Sequence, residues 1–272
     1  MGLILLAMLL PSAYFLAERH FQDAQNRQKQ EEASRLYSDM VERFKTPEPT
    51  AIATPTLTPK PSEKTPDPTP TPKTIKPEFL ELQKHYNNGD IVGYLKIEDT
   101  TIDYPIVQAE DNDYYLDRDI DKNNSSAGWI YMDYENDVFR EDKNIVLYGH
   151  NMNRDFMFHS LRRYADEEYF KNHRYITFNT LYDDGVWEVF SFYRTMTSFQ
   201  YITVMFNDQQ EFENLLFEMK SRSMYDTGVE VSGSDRILTL STCSNAHEDE
   251  RFVVNARLMS PEEVKQLEKE TK

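Results

Sequence analysis

Cysteine is almost absent from this chain: 272 residues contain one, Cys243. A single thiol excludes any intramolecular disulfide, and no paired CxxC is present to build a structural zinc site. Glycine is scarce as well, at eight residues, and no Gly-rich phosphate loop or HExxH motif occurs. Positive charge is in deficit: 30 Lys and Arg face 47 Asp and Glu, for a net charge of -17. Residues 78–272 hold 38 acids and 20 bases, a balance that repels phosphate backbones and excludes nucleic acid as a partner. Long apolar runs are also lacking. The one sustained run, residues 3–17, reaches about 22 Å as a helix, against a hydrocarbon core of roughly 30 Å. It carries no basic n-region, which fits a chain missing a few native N-terminal residues, and no A-x-A cleavage site follows it. Residues 1–17 are therefore expected to form an uncleaved signal anchor, with the rest of the chain on the extracellular side of a cell membrane.

What is present is divided sharply by composition. Residues 18–45 are highly charged, with Leu36, Tyr37, Met40, Val41 and Phe44 recurring at helical spacing. A solvated juxtamembrane helix is expected there. Residues 46–77 contain ten of the thirteen prolines, largely alternating with threonine. Proline fixes φ and removes a donor, so this stretch is expected to be an extended linker. From 78 to 260 the chain is rich in short strand-like runs, among them DIVGYLKIE, NIVLYGH, DRILTLSTC and RFVVNARLM. Many short strands between turn residues predict a mainly-β barrel or sandwich. Helices are expected at PEFLELQKHYNNG, at 155–166 and at 208–222. Ser260-Pro261-Glu262-Glu263 has capping-box spacing and predicts a terminal helix over 261–272.

The chemistry is concentrated in two late strands. Alternation along ILTLSTC sets Leu238 and Leu240 on one face and Thr239, Ser241 and Cys243 on the other. A thiol sharing a face with hydroxyls at a strand end suits a groove better than a core. With an ordinary pKa near 8.5 such a thiol needs a base or cation beside it. His150, at the end of the apolar strand NIVLYGH with Gly149 allowing a sharp exit, is one candidate imidazole. His247, in the acidic loop SNAHEDE, is another. His85, His159 and His173 occupy ordinary helical or turn settings. Arg251 opens the strand after Cys243, so a hairpin would return its guanidinium beside the thiol. Arg257 shares the parity of Arg251, and pairing of Arg251 with Glu248, Asp249 or Glu250 is the competing reading. Asp117, Asp119 and Asp121 have the opening spacing of a calcium loop, but Lys122 and Gly128 stand where it needs Gly and a bidentate Glu. They are expected to form a solvated turn, with no metal.

TLSTC, followed eight residues later by Arg251 in RFVVNARL and preceded by YGHNM, resembles the sortases, most closely class B. The resemblance covers roughly 78–259. It implies an eight-stranded β-barrel with peripheral helices, including an N-terminal helix and one inserted between late strands. It also implies a cysteine transpeptidase: Cys243 as nucleophile, His150 as acid/base and Arg251 as oxyanion stabiliser. Such an enzyme cleaves a C-terminal sorting signal of the Asn-Pro-x-Thr kind after Thr. It then passes the protein to an amine of a cell-wall precursor or a pilin Lys, without a cofactor. By the same resemblance Tyr148, Ser241, Asn112, Leu116, Tyr201 and Ile202 are expected to bind substrate. A cell-wall cysteine hydrolase and a non-catalytic surface scaffold are the alternatives.

Overall fold

The structure is a computed structural model and describes residues 2–45, 73–152, 156–243 and 249–270. His247 and most of the Pro/Thr-rich segment lie outside the described residues. Helix α1 (Gly2–Lys45) is followed by α2 (Pro77–His85), then β1 (Ile91–Lys96), β2 (Asp103–Val107), β3 (Tyr131–Met132) and β4 (Asn144–Tyr148). A small hairpin, β5 (Asn151–Met152) and β6 (Phe156–Met157), precedes α3 (Glu167–Asn172), β7 (Tyr175–Thr180) and β8 (Val186–Met196). Then come α4 (Gln209–Arg222), β9 (Ile237–Cys243), β10 (Glu250–Leu258) and α5 (Pro261–Glu270).

Eight strands close a barrel in the order β1-β2-β3-β4-β9-β10-β8-β7, with β7 pairing back onto β1. The pairs β2–β3 and β4–β9 are parallel and the other six antiparallel. Closure leaves the sheet no long unpaired edge. Residues of alternate parity fill the interior, among them Leu95, Ile106, Leu147, Leu238, Leu240 and Val254. The opposite faces of β8, β9 and β10 are covered by α4, where Phe190, Ile237 and Val253 pack with Phe212, Leu216 and Met219. The inserted helix therefore has a second core to itself. Asp208 caps it by accepting the Glu211 N–H at 2.9 Å. The capping box at α5 is reciprocal: Glu263 N–H donates to Ser260 Oγ, and Ser260 N–H to Glu263 Oε2.

Two elements differ from expectation for readable reasons. Of the helix expected over 155–166, the described residues 156–166 do not form an α-helix. Phe156 and Met157 enter the small hairpin, and His159–Ala165 is a 3-10 segment. Phe158, Leu161 and Tyr164 are all buried, and a three-residue repeat of large side chains lines up on a 3-10 helix, not an α-helix. The charged helix over 18–45 is not solvated on all sides. Tyr37 stacks flat on Tyr94 with centroids 3.7 Å apart. Tyr37 and Met40 join the core, each burial being worth about 1.5–3 kcal/mol.

The N-terminal membrane anchor, and with it the cell-membrane localisation and extracellular side, is not supported. Among the described residues no helix is long and apolar enough to cross a membrane. Helix α1 is long, but its apolar stretch ends at Ala17 and continues directly into Glu18 and Arg19. Too few apolar residues run together to match a bilayer core.

Candidate active site

At one end of the barrel, β4 and β9 run parallel with Tyr148 opposite Ser241. The adjoining β9–β10 ladder puts Cys243 opposite Arg251. Segments about ninety residues apart in the chain, β4 and the β9–β10 pair, are thereby joined at one rim, because a parallel β4–β9 pairing brings both C-terminal ends to the same side. Beyond Tyr148 the chain turns at Gly149, whose N–H donates to the Ser241 carbonyl at 3.2 Å. A Cβ at Gly149 would lie 2.9 Å from the Phe158 ring, so close packing demands glycine here. His150 follows at once, anchored by its own carbonyl, which accepts the Phe158 N–H at 3.0 Å.

A groove of about 320 Å³ opens at this rim, lined by Asn112, Leu116, Tyr148, His150, Tyr201, Ile202, Ser241 and Arg251, with Asp113, Tyr131, Gly149, Thr197 and Thr242. Every residue expected to contact substrate lines this one groove, together with His150 and Arg251. Cys243 ends β9, two residues past Ser241 and in register with Arg251.

Several lining groups are held by hydrogen bonds. Tyr148 Oη donates to Asp133 Oδ2 at 2.7 Å, and Asn112 Nδ2 donates to the same oxygen at 3.0 Å. Asn112 Oδ1 in turn accepts the Tyr134 N–H. Burial, and then the Asp133 carboxylate, push the Tyr148 phenol well above its ordinary pKa, so it stays a donor. Asp133 is thus the hub of the groove's wall. It was not foreseen, since nothing marks an Asp after a strand as a hub until the loop carrying Asn112 folds over it. Tyr201 Oη and Ser241 Oγ share a buried hydrogen bond of 2.8 Å.

Beneath them lies a polar chain buried in the sheet. Thr239 Oγ1 donates to Asn144 Oδ1, Asn255 Nδ2 donates to Thr239 Oγ1, and Ser191 Oγ donates to Asn255 Oδ1, at 2.7–2.9 Å. Asn144 Nδ2 reaches the Tyr201 and Thr203 carbonyls, fixing the loop that presents Tyr201 and Ile202. His150 Nε2 lies 2.8 Å from the Leu116 carbonyl oxygen. Arg251 is half-buried, and one of its nitrogens donates to the Glu250 carbonyl at 3.1 Å.

Other candidates fall elsewhere. Arg257 pairs with Ile237 at the opposite end of β9 and is held between Glu188 and Glu263. His159 is buried against Asn151, and His173 stacks on Tyr169. Asp119, expected in a solvated turn, is buried and bound to Lys29. Among the described residues no group of three or more His, Cys, Asp or Glu side chains is gathered as for a metal ion.

Residues 95–259 match the family description "Sortase domain". Sortase B of Listeria monocytogenes is 40% identical over 188 residues, 68% of this chain and 76% of that protein. The chain belongs to the sortase family. Sortase B of Staphylococcus aureus is 35% identical over 187 residues, again 68% of this chain and 76% of the relative. Among solved structures, a Staphylococcus aureus sortase B-substrate complex superposes with a TM-score of 0.74 at 28% identity, covering 89% of this chain and 99% of that one. Sortase B from Bacillus anthracis in complex with AAEK1 gives 0.70 at 34% identity, with the same coverage. The protein is accordingly a class B sortase, a cysteine transpeptidase on an eight-stranded barrel. The covering helix α4 and the helix α2 before the first strand are the peripheral helices expected of this sortase class.

Proposed function

We propose that this sortase cleaves a C-terminal sorting signal after its Thr and transfers the liberated acyl group to an amine, with Cys243, His150 and Arg251 as the catalytic residues. The carrying observation is the β9–β10 register, which sets Cys243 opposite Arg251, a residue that lines the same groove as His150. The Cys243 thiolate attacks the Thr carbonyl carbon, and the carbonyl π electrons move to oxygen. Arg251 donates to that oxyanion, a kind of contact whose loss costs about 10²–10³ in rate. As the C–N bond breaks, protonated His150 gives its proton to the departing amine, leaving a thioester. The acceptor amine then attacks the thioester and yields a proton to His150. The C–S bond breaks and the thiolate is restored.

The sorting signal is read by the groove wall. Asn112 and Tyr148 bring polar groups to the wall and Tyr201 and Ser241 back it with their mutual hydrogen bond, while Leu116, 40% exposed, and the partly buried Ile202 offer apolar surface. A short mixed peptide of the Asn-Pro-x-Thr kind fits that alternation. That a similar Staphylococcus aureus sortase B has been solved as a sortase B-substrate complex supports a sorting-signal substrate for this chain. The acceptor is an amine of a cell-wall precursor or a pilin Lys, and the cargo a surface protein bearing the signal.

A pentapeptide panel incubated with the protein, followed by mass spectrometry, tests the reading. A thioacyl adduct confined to Cys243 and discharged by an added amine is expected. An adduct-free enzyme that still processes the peptide, or a Cys243→Ala variant as fast as the parent, overturns it.

A further inference from the structure

The loop between β2 and β3 carries Asn112 and Leu116 into the groove, and its far side is gripped by α1. Lys29 Nζ sits 2.5 Å from Asp119 Oδ2 and 2.6 Å from Asp121 Oδ2. Asp119 is 4% exposed, and its other oxygen accepts the N–H groups of Asp121 and Asn123 at 3.0 Å. One turn earlier on α1, Asn26 Nδ2 donates to Ser125 Oγ at 2.7 Å in a buried contact. The grip is passed inward by the backbone. Ser125 N–H donates to the Asp117 carbonyl and its own carbonyl accepts from Gly128 N–H. Gly128, at φ +58, lies so close to the Leu116 carbonyl that a Cβ there would stand 2.6 Å from its oxygen. That same oxygen is the partner of His150 Nε2 at 2.8 Å.

A carbonyl oxygen only accepts, so Nε2 must carry the proton of this hydrogen bond. The neutral imidazole is thereby held as the Nε2–H tautomer, with Nδ1 left bare for proton exchange. Lys29 stays charged: burial draws its pKa down, but its bonds to Asp119 and Asp121 more than restore it. We infer that Lys29 is a positioning residue for the reaction, holding the Leu116 carbonyl through the 117–128 loop so that His150 keeps one tautomer and one orientation. Helix α1 is then a strut of the active site. The inference rests on His150 being the acid/base for its catalytic consequence, but not for the tautomer itself.

The test uses the full chain with nitrogen-15-labelled histidine, the His150 signals being assigned by their loss in His150→Gln. The parent is expected to show a protonated Nε2 and a bare Nδ1. In Lys29→Met the ratio of tautomers should shift and kcat on a sorting peptide should fall about tenfold, as small misplacements of reacting groups do, with Lys29→Arg restoring both. Asn26→Ala, which frees Ser125 and leaves the Lys29 pair, should move the same signals in the same direction. A bare Nε2 in the parent, or parent-like imidazole signals and kcat in both folded variants, overturns the inference. Activity surviving in His150→Ala would instead overturn the acid/base reading, whatever the tautomer.

Discussion

Cys243 and Arg251 stand directly opposite one another in the β9–β10 ladder. In an antiparallel pair such partners have Cα atoms about 4.5–5.5 Å apart. The position of Arg251 relative to Cys243 is therefore fixed by backbone register. The eight-residue step between them becomes a consequence of where the hairpin turns.

The first expectation concerns the sulfur and the imidazole. Cys243→Ala and His150→Ala should each lower turnover of a fluorogenic sorting peptide by at least about 10³-fold, as removal of a nucleophile or its partner base does. His247→Ala should keep most of the activity. Equal losses from the two histidine variants, measured side by side, would transfer the acid/base role away from His150.

Arg251 is expected to act on the transition state more than on binding. Arg251→Ala should cut kcat by about 10²–10³ while KM changes little, and Arg251→Lys should recover part of the loss, since a point charge replaces a fork of fixed donors. A variant that raised KM and spared kcat would make Arg251 a substrate anchor. Steady-state kinetics with a saturating amine separates the two.

Asn144 should be a stability determinant despite its distance from the reacting groups. It accepts from Thr239 and donates to the Tyr201 and Thr203 carbonyls, all within the sheet interior or its cover. Asn144→Ala leaves these partners unsatisfied at about 1–3 kcal/mol for a buried group. The midpoint of thermal unfolding should fall by several degrees, roughly 2–4 °C per kcal/mol for a domain of this size. An unchanged midpoint in calorimetry would show that the network relaxes at no cost.

The terminal helix should respond to acid through Glu263. Its bonds to Arg257, and then the Ser260 N–H at the cap, lower its pKa from the ordinary 4.5 to about 2. A folded-state pKa below the unfolded value means that the contribution is complete above about 4.5 and is lost as pH falls toward 2. The protection of the amides over 261–270, measured against their intrinsic exchange rate at each pH, should therefore fall across that window. Glu263→Gln should show fast exchange already at neutral pH, and the same acid response in the variant would assign the effect to another group. The carboxylate is substantially exposed, so solvent and salt weaken the interaction.

Much of this fold could be read in one dimension. The runs at 91–96, 103–107, 144–148, 175–180, 186–196, 237–243 and 250–258 carry strand composition, and all are strands. The caps of α4 and α5 are written as Asp208 and Ser260-x-x-Glu263, because a cap involves neighbours three residues apart. Where a signal depended on spacing alone it misled: the apolar pattern at 155–166 fits two helix types, and burial of Phe158, Leu161 and Tyr164 selected the tighter one. The apolar run at 3–17 was given more reach than its length supports.

By itself the sequence determined the alternation that puts Ser241 and Cys243 on a face apart from Leu238 and Leu240, the caps, and the supply of one thiol, one strand-end imidazole and one guanidinium. Those are local matters, decided by side-chain chemistry and by periods of two or three to four residues. Only the tertiary structure decided that β4 lies parallel to β9, that Asp133 gathers Tyr148 and Asn112, and that Lys29 reaches across to Asp119. These are contacts between distant residues. Their formation depends on closure of the whole barrel, which repays the chain entropy only when every strand is in register at once.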